Sequence, residues 1–329
     1  MRSPWTEGVA KLRERLASRL ALLARPRVPE GLPVRLDRRR VYVLPTRFGL
    51  FFSALLLAML LGALNYNNNP ALLLALLLGA TGLASLISAH LQLSGLGIDA
   101  VSAEPVTAGT CLSLHLSLSA NDTRARRGLQ IRCLQTRGVA SVPANGPATA
   151  VLELPTVTRG WLDPGRIRIS TTQPLGLALA WAWVWPDTPQ LVYPAMESGG
   201  PPLPSGEGSG GQARLHPAGD DVHHLRSYRP GDPRRAIAWK PSARRDALMV
   251  REFEQPLAVE INLDWRTLAP LPHEKRISRL ARWVDLAERE GRRYRLQLPG
   301  HPVLGPDHGA GHRHLCLRAL ALLPAADGH

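Results

Sequence analysis

The side chains best suited to chemistry lie near residue 220, where Asp220 and Asp221 precede the pair His223 and His224. Carboxylate and imidazole groups bind metals and act as acid–base pairs in hydrolysis. Adjacent residues of a strand point to opposite faces, however, so both histidines do not easily bind one ion. A hydrolase site around Asp220, His223 and His224 is therefore an alternative to weigh, and no metal site is expected here.

A second group with zinc-ligand chemistry, His312, His314 and Cys316, lies near the C-terminus. The two histidines share one face of a strand, but the pattern predicts that a helix over residues 313–323 begins here. Zinc needs a third or fourth ligand that the sequence does not place. The other two cysteines form no Cys-x-x-Cys pair, so we expect three reduced, structural thiols.

Arginine dominates residues 226–251, in which Asp232 and Asp246 are the only acidic residues. Asp232, between a glycine and a proline, predicts a turn into a short helix that its carboxylate caps. Guanidinium groups bind carboxylates and phosphates in a bidentate manner. One interpretation is an ion-pair network that fixes a loop through Asp220, Asp221, Glu252 and Glu254. The other is a docking face for an acidic partner, with Arg244 and Arg245 at its centre.

The segment 219–256 resembles the signature of the domain-of-unknown-function 58 (DUF58) family. The matching residues are Arg226, Tyr228, Gly231, Asp232, Ile237, Trp239, Ser242, Ala243, Arg244, Glu252 and Glu254. Shorter matches extend the resemblance over about residues 40–325: Pro45-Thr46-Arg47-x-Gly49, Asn65-Tyr66-Asn67-Asn68-Asn69, Thr158-Arg159-Gly160, Pro174-Leu175-Gly176-Leu177 and Val192-Tyr193-Pro194. The candidate interaction site is this signature loop: Asp221, His224, Arg226, Tyr228, Gly231, Asp232, Trp239, Ser242, Arg244 and Arg245.

The resemblance implies a von Willebrand factor A-like α/β module at the C-terminus. It also implies two partners, a MoxR-type AAA+ ATPase and a transglutaminase-like membrane protein. Metal-binding versions of the module end their first strand in Asp-x-Ser-x-Ser, whose oxygens hold Mg²⁺. Here Arg266 and Leu268 replace both hydroxyls after Asp264, and the chain stops about 65 residues later. We therefore expect a truncated module without a metal-dependent adhesion site and without a cofactor.

Residues 48–98 contain no Asp, Glu, Lys or Arg. The apolar runs 48–64 and 70–91 are long enough for two membrane-spanning helices, and the Asn-rich segment between them suits a tight turn. The alternative is a buried helical hairpin in a soluble core. Residues 1–47 hold 12 basic and four acidic residues. The positive-inside bias therefore predicts an inner-membrane protein with both termini in the cytoplasm.

The formal net charge of +14 also makes nucleic-acid binding a function to consider. More than half of that charge lies in residues 1–47, where the positive-inside bias explains it. Residues 9–24 predict an Arg-rich amphipathic helix, either lying on anionic lipid or solvated. No helix-turn-helix, zinc finger or aromatic–basic platform follows, so a membrane-tethered nucleic-acid binder is the last alternative.

Strand patterns fill residues 98–195. Residues 111–119 alternate between apolar and polar, and further strands are predicted at 129–134, 148–154, 166–170 and 177–185. In the last of these, Trp181, Trp183 and Trp185 share one face, which packs on the core, rests at the membrane surface or stacks on a ligand. The whole region predicts an antiparallel β-sandwich.

The fold class is therefore α+β and multidomain. A basic segment (1–47), a transmembrane helical hairpin (48–91), a β-sandwich (98–195) and a flexible, exposed Gly/Pro/Ser linker (196–215) precede the signature and the truncated α/β module (216–329). Within that module we predict a strand ending at Asp264, a helix over 272–290 with one apolar stripe, a strand over 293–298 and a closing helix.

The sequence contains no P-loop motif, GxxxxGK[ST], so any ATP hydrolysis must come from a partner. It also contains neither GxSxG nor HExxH. We expect a non-enzymatic scaffold or adaptor that contacts membrane lipid and does not bind nucleic acid.

Overall fold

A computed structural model describes residues 26, 28–204, 214–215, 221–228, 237–239, 249–255 and 260–325. The chain divides into two compact units, one ending at Tyr193 and the other beginning at Pro194. The described part is α+β, as the sequence predicts, with sheets and α-helices in both units.

The first unit contains two long apolar helices, α1 at Arg47–Asn65 and α2 at Asn69–Leu93. Both are long and apolar enough to cross a membrane, and only 11% and 17% of their apolar stretches are buried. A core helix of a soluble protein would be mostly buried. Phe51, Leu61 and Leu73 instead point outward, which fits the predicted membrane hairpin.

The turn between the helices is built from the asparagines. Asn67 has a left-handed φ of 49°, a conformation that Asn tolerates. The side chain of Asn68 accepts a hydrogen bond from the amide of Ala71 at 3.1 Å and so caps α2. Pro70 lies in the first turn of α2, where a backbone N–H has no acceptor within the helix, so the N–H that proline lacks costs no hydrogen bond.

The described residues of the first unit also form twelve strands. They are β1 Val34–Arg35, β2 Tyr42–Pro45, β3 Leu96–Ala103, β4 Val106–Thr107, β5 Cys111–Ala120, β6 Arg126–Cys133, β7 Thr136–Val142, β8 Pro147–Pro155, β9 Gly160–Leu162, β10 Ile167–Thr171, β11 Ala178–Val184 and β12 Gln190–Tyr193. One sheet has the order β1-β3-β5-β8, a second β2-β11-β10-β6-β7 and a third β4-β12-β9. The first two are antiparallel throughout.

The inner faces of the two larger sheets form one core. The alternation predicted for residues 111–119 is confirmed, since Leu112, Leu114, Leu116 and Leu118 are all fully buried. The segment before α1 also contributes a strand to each of these sheets, β1 and β2. The basic composition of this segment does not predict these strands.

The face of β11 that enters the core is its small-residue face. Ala178, Ala180 and Ala182 belong to the core, whereas the tryptophans alternate with them and lie on the other side of the sheet. The tryptophans therefore do not belong to the core between the two larger sheets, although Trp181 is buried on its own side. Small side chains are needed because Ala89 and Leu93, from the end of α2, occupy the same core.

Arg126 binds the backbone carbonyls at the C-terminal end of α2. Its side chain is fully buried, and it donates to the carbonyl oxygens of Gln92 (3.0 Å) and Ser94 (2.9 Å). The guanidinium also binds Asp122 in a bidentate manner, at 2.7 and 3.1 Å. This hydrogen bonding lowers the pKa of the Asp122 carboxyl. The pair therefore stabilises the fold above the ordinary carboxyl pKa, and that contribution is lost as pH falls through the lowered value.

The start of α1 is bound to the loop between β10 and β11. The amide of Thr46 donates to the carbonyl oxygen of Leu177 (2.9 Å), and the Thr46 hydroxyl donates to that of Gly176 (2.6 Å). Gly49 lies so close to this loop that a Cβ there would be 2.0 Å from the Leu177 oxygen. Two short motifs that are distant in sequence are thus packed backbone to backbone.

In its described residues, the second unit contains six strands and two α-helices. They are β13 Arg214–Leu215, β14 Asp221–Ser227, β15 Met249–Gln255, β16 Ile261–Asp264, α3 His273–Arg289, β17 Tyr294–Gln297, β18 Leu304–Asp307 and α4 Ala310–Leu322. Strands β13, β15 and β14 form one sheet, and β16, β17 and β18 form another. In the latter, β16 and β17 are parallel and are connected through α3.

The apolar stripe predicted on the 272–290 helix is confirmed, because Ile277, Leu280, Ala281, Val284 and Ala287 are buried on α3. The predicted strand–helix–strand–helix order is also confirmed, with β18 as an additional antiparallel strand.

The beginning of the predicted linker is bound to α3. Glu197 forms a bidentate pair with Arg279 at 2.8 and 3.0 Å, and its carbonyl oxygen accepts from Arg282. The indole N–H of Trp283 donates to the carbonyl oxygen of Pro201. The hydrogen bond from Arg279 lowers the pKa of Glu197. Linker residues 205–213 lie outside the described part of the chain.

We expect Gly49→Ala to lower the stability of the first unit by about 2 kcal/mol or more, because the new methyl collides with the backbone of Leu177. Gly62→Ala, in the same helix, is the matched control, since a Cβ there has no atom within 4 Å. That change should be neutral or stabilising by about 0.5–1 kcal/mol. Thermal unfolding in detergent measures both, and equal melting temperatures would contradict the close contact.

Candidate functional site

The described part of the signature loop is an antiparallel hairpin of β14 and β15. Its register places Asp221 opposite Glu254, His224 opposite Glu252 and Arg226 opposite Val250. The sequence pattern thus brings candidate residues of one strand to the two glutamates of the other. The register shifts between Val222 and His224, so the strict alternation assumed for the adjacent histidines does not hold at this point.

The hairpin is extended by a short piece of chain at residues 237–239. Ile237 is buried and packs against the half-buried Tyr228, and the amide of Ala238 donates to the carbonyl oxygen of Met249 at 2.8 Å. Trp239 projects outward with 66% of its surface exposed. An exposed tryptophan held by an anchored backbone is a typical contact residue of protein interfaces.

The other predicted site residues, Gly231, Asp232, Ser242, Arg244 and Arg245, lie outside the described residues. So does Asp220, a member of the alternative hydrolase group. The structure therefore brings Asp221, His224, Arg226, Tyr228 and Trp239 to one hairpin and its extension, and their further arrangement stays a prediction.

A crevice lies at the carboxyl ends of the parallel strands β16 and β17, where ligands bind in open α/β sheets. It has a volume of about 280 Å³ and is lined by Asp264, Trp265, Arg266, Gln297, Leu298, Pro299, Gly300, His301 and Val303. Sequence patterns single out Asp264 and Arg266 here but not Gln297 and His301, which only the pairing of the two strands brings to the same edge.

Asp264 has a structural task in this crevice. Its carboxylate accepts a hydrogen bond from the amide of Arg266 at 2.9 Å and caps a 3-10 turn at Trp265–Leu268. The hydroxyl of Thr267 donates to the carbonyl oxygen of Asp264 and is thereby engaged with the backbone. Within the described ranges, no group of three or more His, Cys, Asp or Glu side chains is arranged to hold a metal ion.

Two of the three thiols are poorly suited to nucleophilic chemistry. Burial raises the pKa of Cys133 to about 11 and that of Cys316 to about 12, so both are protonated near neutral pH. The His312 ring beside Cys316 donates from Nε2 to the carbonyl oxygen of Tyr294 at 3.0 Å. His312 and Cys316 lie on α4 and serve the core, whereas Cys111 is exposed.

Comparison with known proteins gives one family match. Residues 224–264 match the family model described as "Protein of unknown function DUF58". The matched segment runs from β14 through β15 to Asp264, the last residue of β16. No curated protein and no solved structure matches the chain. The match supports the DUF58 resemblance, and it covers neither the sandwich nor the apolar helices.

The different environments of the thiols predict one fast-reacting cysteine in the folded protein. We expect a thiol reagent such as dithiobis-nitrobenzoate to modify Cys111 quickly, and Cys133 and Cys316 only after denaturation, because both are buried and protonated. In Cys111→Ser the fast phase should disappear. A fast phase that persists in this variant would reveal a reactive thiol and reopen the enzymatic alternative.

Proposed function

We propose that this chain is a membrane-anchored, non-enzymatic interaction scaffold or adaptor of the DUF58 kind. The observation that carries the proposal is the continuity of α2, which begins as an exposed apolar helix and ends in the core of a β-sandwich. A helix of this kind fixes a folded unit at a bilayer. The proposed task is to hold that unit, and the signature hairpin that follows it, where other proteins bind.

The membrane placement is supported by the outer surfaces of α1 and α2. Exposing rows of Leu and Phe to water is costly, at about 25 cal/mol per Å² of apolar surface, whereas lipid accepts them. The arginines at Arg38–Arg40 precede α1, Arg47 is its first residue, and the turn between the helices has no charge. The proposed orientation therefore has both termini in the cytoplasm of an inner-membrane protein.

The partners in the proposal come from the family resemblance, which implies a MoxR-type AAA+ ATPase and a transglutaminase-like membrane protein. Because the chain has no P-loop, the ATPase would supply the energy and this chain the anchoring surface. The exposed Trp239 is the described residue best suited to such a contact. A hydrolase around Asp220, His223 and His224 is the second candidate, and it is supported only by the types of those residues.

The topology can be tested with an impermeant maleimide on spheroplasts. Tyr66, in the turn between the helices, is 81% exposed, and Cys111 in the sandwich is a natural thiol on the predicted opposite side. We expect Tyr66→Cys to be labelled in intact spheroplasts and Cys111 only after lysis. Labelling of Cys111 without lysis would contradict the proposed orientation.

The adaptor role predicts that an ATPase co-purifies with the chain from native membranes in mild detergent. We expect Trp239→Ala to reduce its recovery about tenfold or more, because an exposed tryptophan at an interface is often worth 2 kcal/mol or more. Trp161→Ala is the matched control, since Trp161 is also an exposed tryptophan (54%) but lies in the sandwich. Purification with and without ATP shows whether the contact follows the nucleotide state.

If no ATPase is recovered with the wild-type chain in either nucleotide state, the adaptor proposal fails. Equal losses of ATPase recovery in Trp239→Ala and Trp161→Ala would show that the signature hairpin is not the contact surface. In the first case, hydrolysis of model esters and peptides by the Asp220, His223 and His224 variants becomes the measurement to make.

A further inference from the structure

The end of the sandwich beside the apolar helices, which we call the proximal end, is formed by three strand connections, residues 121–125, 143–146 and 172–177. The first two are joined by a hydrogen bond of 3.0 Å from the amide of Asn145 to the carbonyl oxygen of Asp122. The pairing of β10 with β6 brings the third connection beside them. A Cβ on Gly128 would lie 3.6 Å from the side-chain nitrogen of Gln173. The proximal end is therefore one continuous surface.

The third connection reaches the layer of the apolar helices. Leu177 lines an apolar cleft of about 190 Å³ together with Phe52 on α1 and Gly82 on α2. The hydrogen bonds from Thr46 hold the same connection beside the first turn of α1, where the proposed membrane span begins. Leu175 of this connection is 55% exposed although it is apolar. An exposed leucine at this level faces the boundary of the bilayer.

The first connection and the start of β6 carry an excess of positive charge. Asp122 is the one acidic residue in the sequence of the three connections, and Arg126 binds its carboxylate in a bidentate manner. Arg124 and Arg127 are exposed and leave this surface with three arginines against one aspartate, a net charge of +2. The strand register shifts between Arg126 and Leu129, and a bulge of this kind redirects a side chain away from the regular ladder.

These arginines lie within electrostatic reach of lipid headgroups. The contact of Phe52 with Gly82 sets the register of the two helices and places the start of α1 beside residue 87 of α2. Ser94, whose carbonyl oxygen Arg126 binds, is seven residues further, about 10 Å along the helix. The headgroup layer is about 5–8 Å deep, and surface charges act over about 8 Å at physiological salt. The two exposed arginines are therefore close enough to attract anionic headgroups.

We propose that the proximal end is a docking surface for anionic phospholipids of the leaflet on the sandwich side. Arg124 and Arg127 bind the phosphate groups, for which guanidinium is well suited, and Leu175 inserts among the acyl chains. Two cations beside an exposed leucine fit the boundary between headgroups and chains. A nucleic acid or free phosphate would satisfy only the arginines and leave the leucine in water. The inference rests on the membrane placement proposed above and adds a preference for lipid charge.

The test uses the full chain in detergent and native mass spectrometry, which counts the bound lipid molecules. Phosphatidylglycerol and phosphatidylcholine with identical acyl chains are the probes. We expect the wild-type chain to bind phosphatidylglycerol at least about tenfold more tightly, because each basic residue near an anionic surface contributes about fivefold. Arg124→Gln/Arg127→Gln should remove most of this preference and leave the binding of phosphatidylcholine unchanged.

Arg132→Gln/Arg137→Gln is the matched control. Both arginines are exposed in the same sheet, and the change in net charge is the same. Arg132 is five residues further along β6 than Arg127, about 15 Å farther from the proximal end, so the control should keep the preference for phosphatidylglycerol. Equal losses in both double variants would reduce the effect to net charge and overturn the proposal. An undiminished preference in Arg124→Gln/Arg127→Gln would also overturn it.

Insertion of Leu175 is measured separately in nanodiscs. In the Cys111→Ser background, Leu175→Cys and Leu134→Cys each carry a nitrobenzoxadiazole fluorophore, whose emission shifts to the blue in an apolar environment. Leu134 is the matched control, since it is 53% exposed but lies between β6 and β7 at the opposite end of the sandwich. We expect a blue shift at position 175 and none at position 134. Equal emission at the two positions would contradict insertion.

Further outcomes separate this proposal from the membrane placement on which it rests. If the wild-type chain binds neither lipid, the membrane placement fails, and this inference fails with it. If both lipids bind equally, the placement stands and only the preference for anionic lipid is wrong. Displacement of phosphatidylglycerol by millimolar inorganic phosphate would assign the arginines to a soluble phosphate ligand and overturn the proposal. Displacement by an oligothymidine would assign them to nucleic acid, with the same consequence.

Discussion

The buried guanidinium of Arg126 lies where α2 ends, and it binds the carbonyl oxygens of Gln92 and Ser94 while Asp122 neutralises its charge. The last carbonyls of a helix need partners, and inside a core no water supplies them. Arg126 supplies these partners where α2 ends beside the sandwich core. Because it does end there, the apolar helix and the two sheets form one unit, and the chain leaving Ser94 enters β3 directly.

Several features of the first unit follow from this arrangement. The inner face of β11 consists of alanines because a helix end shares the core with it, and the bulky tryptophans are displaced to the outer face. At the start of α1, only a glycine at position 49 lets the helix approach the backbone of Leu177. Both helices are thus bound to the sandwich at its sheets, one by a buried ion pair and one by direct backbone contact.

The sequence predicts those elements whose signals are local. The uncharged runs of α1 and α2, the alternation of β5 and the apolar stripe of α3 each appear within one segment and match the structure. The sequence does not show which of Arg124, Arg126 and Arg127 is buried, because that depends on where α2 ends. Nor does it show that Arg132, Arg137 and Arg168 are neighbours, since only strand pairing brings them together.

The second unit shows the same difference between local and distant signals. The Gly/Pro/Ser composition of residues 196–215 indicates a flexible linker, yet Glu197 and Pro201 are bound to α3. Composition averages over a segment, whereas a single bidentate pair with Arg279 fixes its first residues. At the candidate site, the family resemblance indicated the signature segment, but neither the pairing of β14 with β15 nor the crevice at β16 and β17 follows from residue types, because both depend on strand pairing.

The contact surface of the proposed scaffold lies at the signature hairpin, where Trp239 offers a large, exposed apolar side chain. In the described ranges, the strongly raised pKa values belong to buried groups such as Cys133 and Cys316, which serve packing. In the proposed arrangement, tethering by α2 raises the effective concentration of every partner held in the same membrane plane.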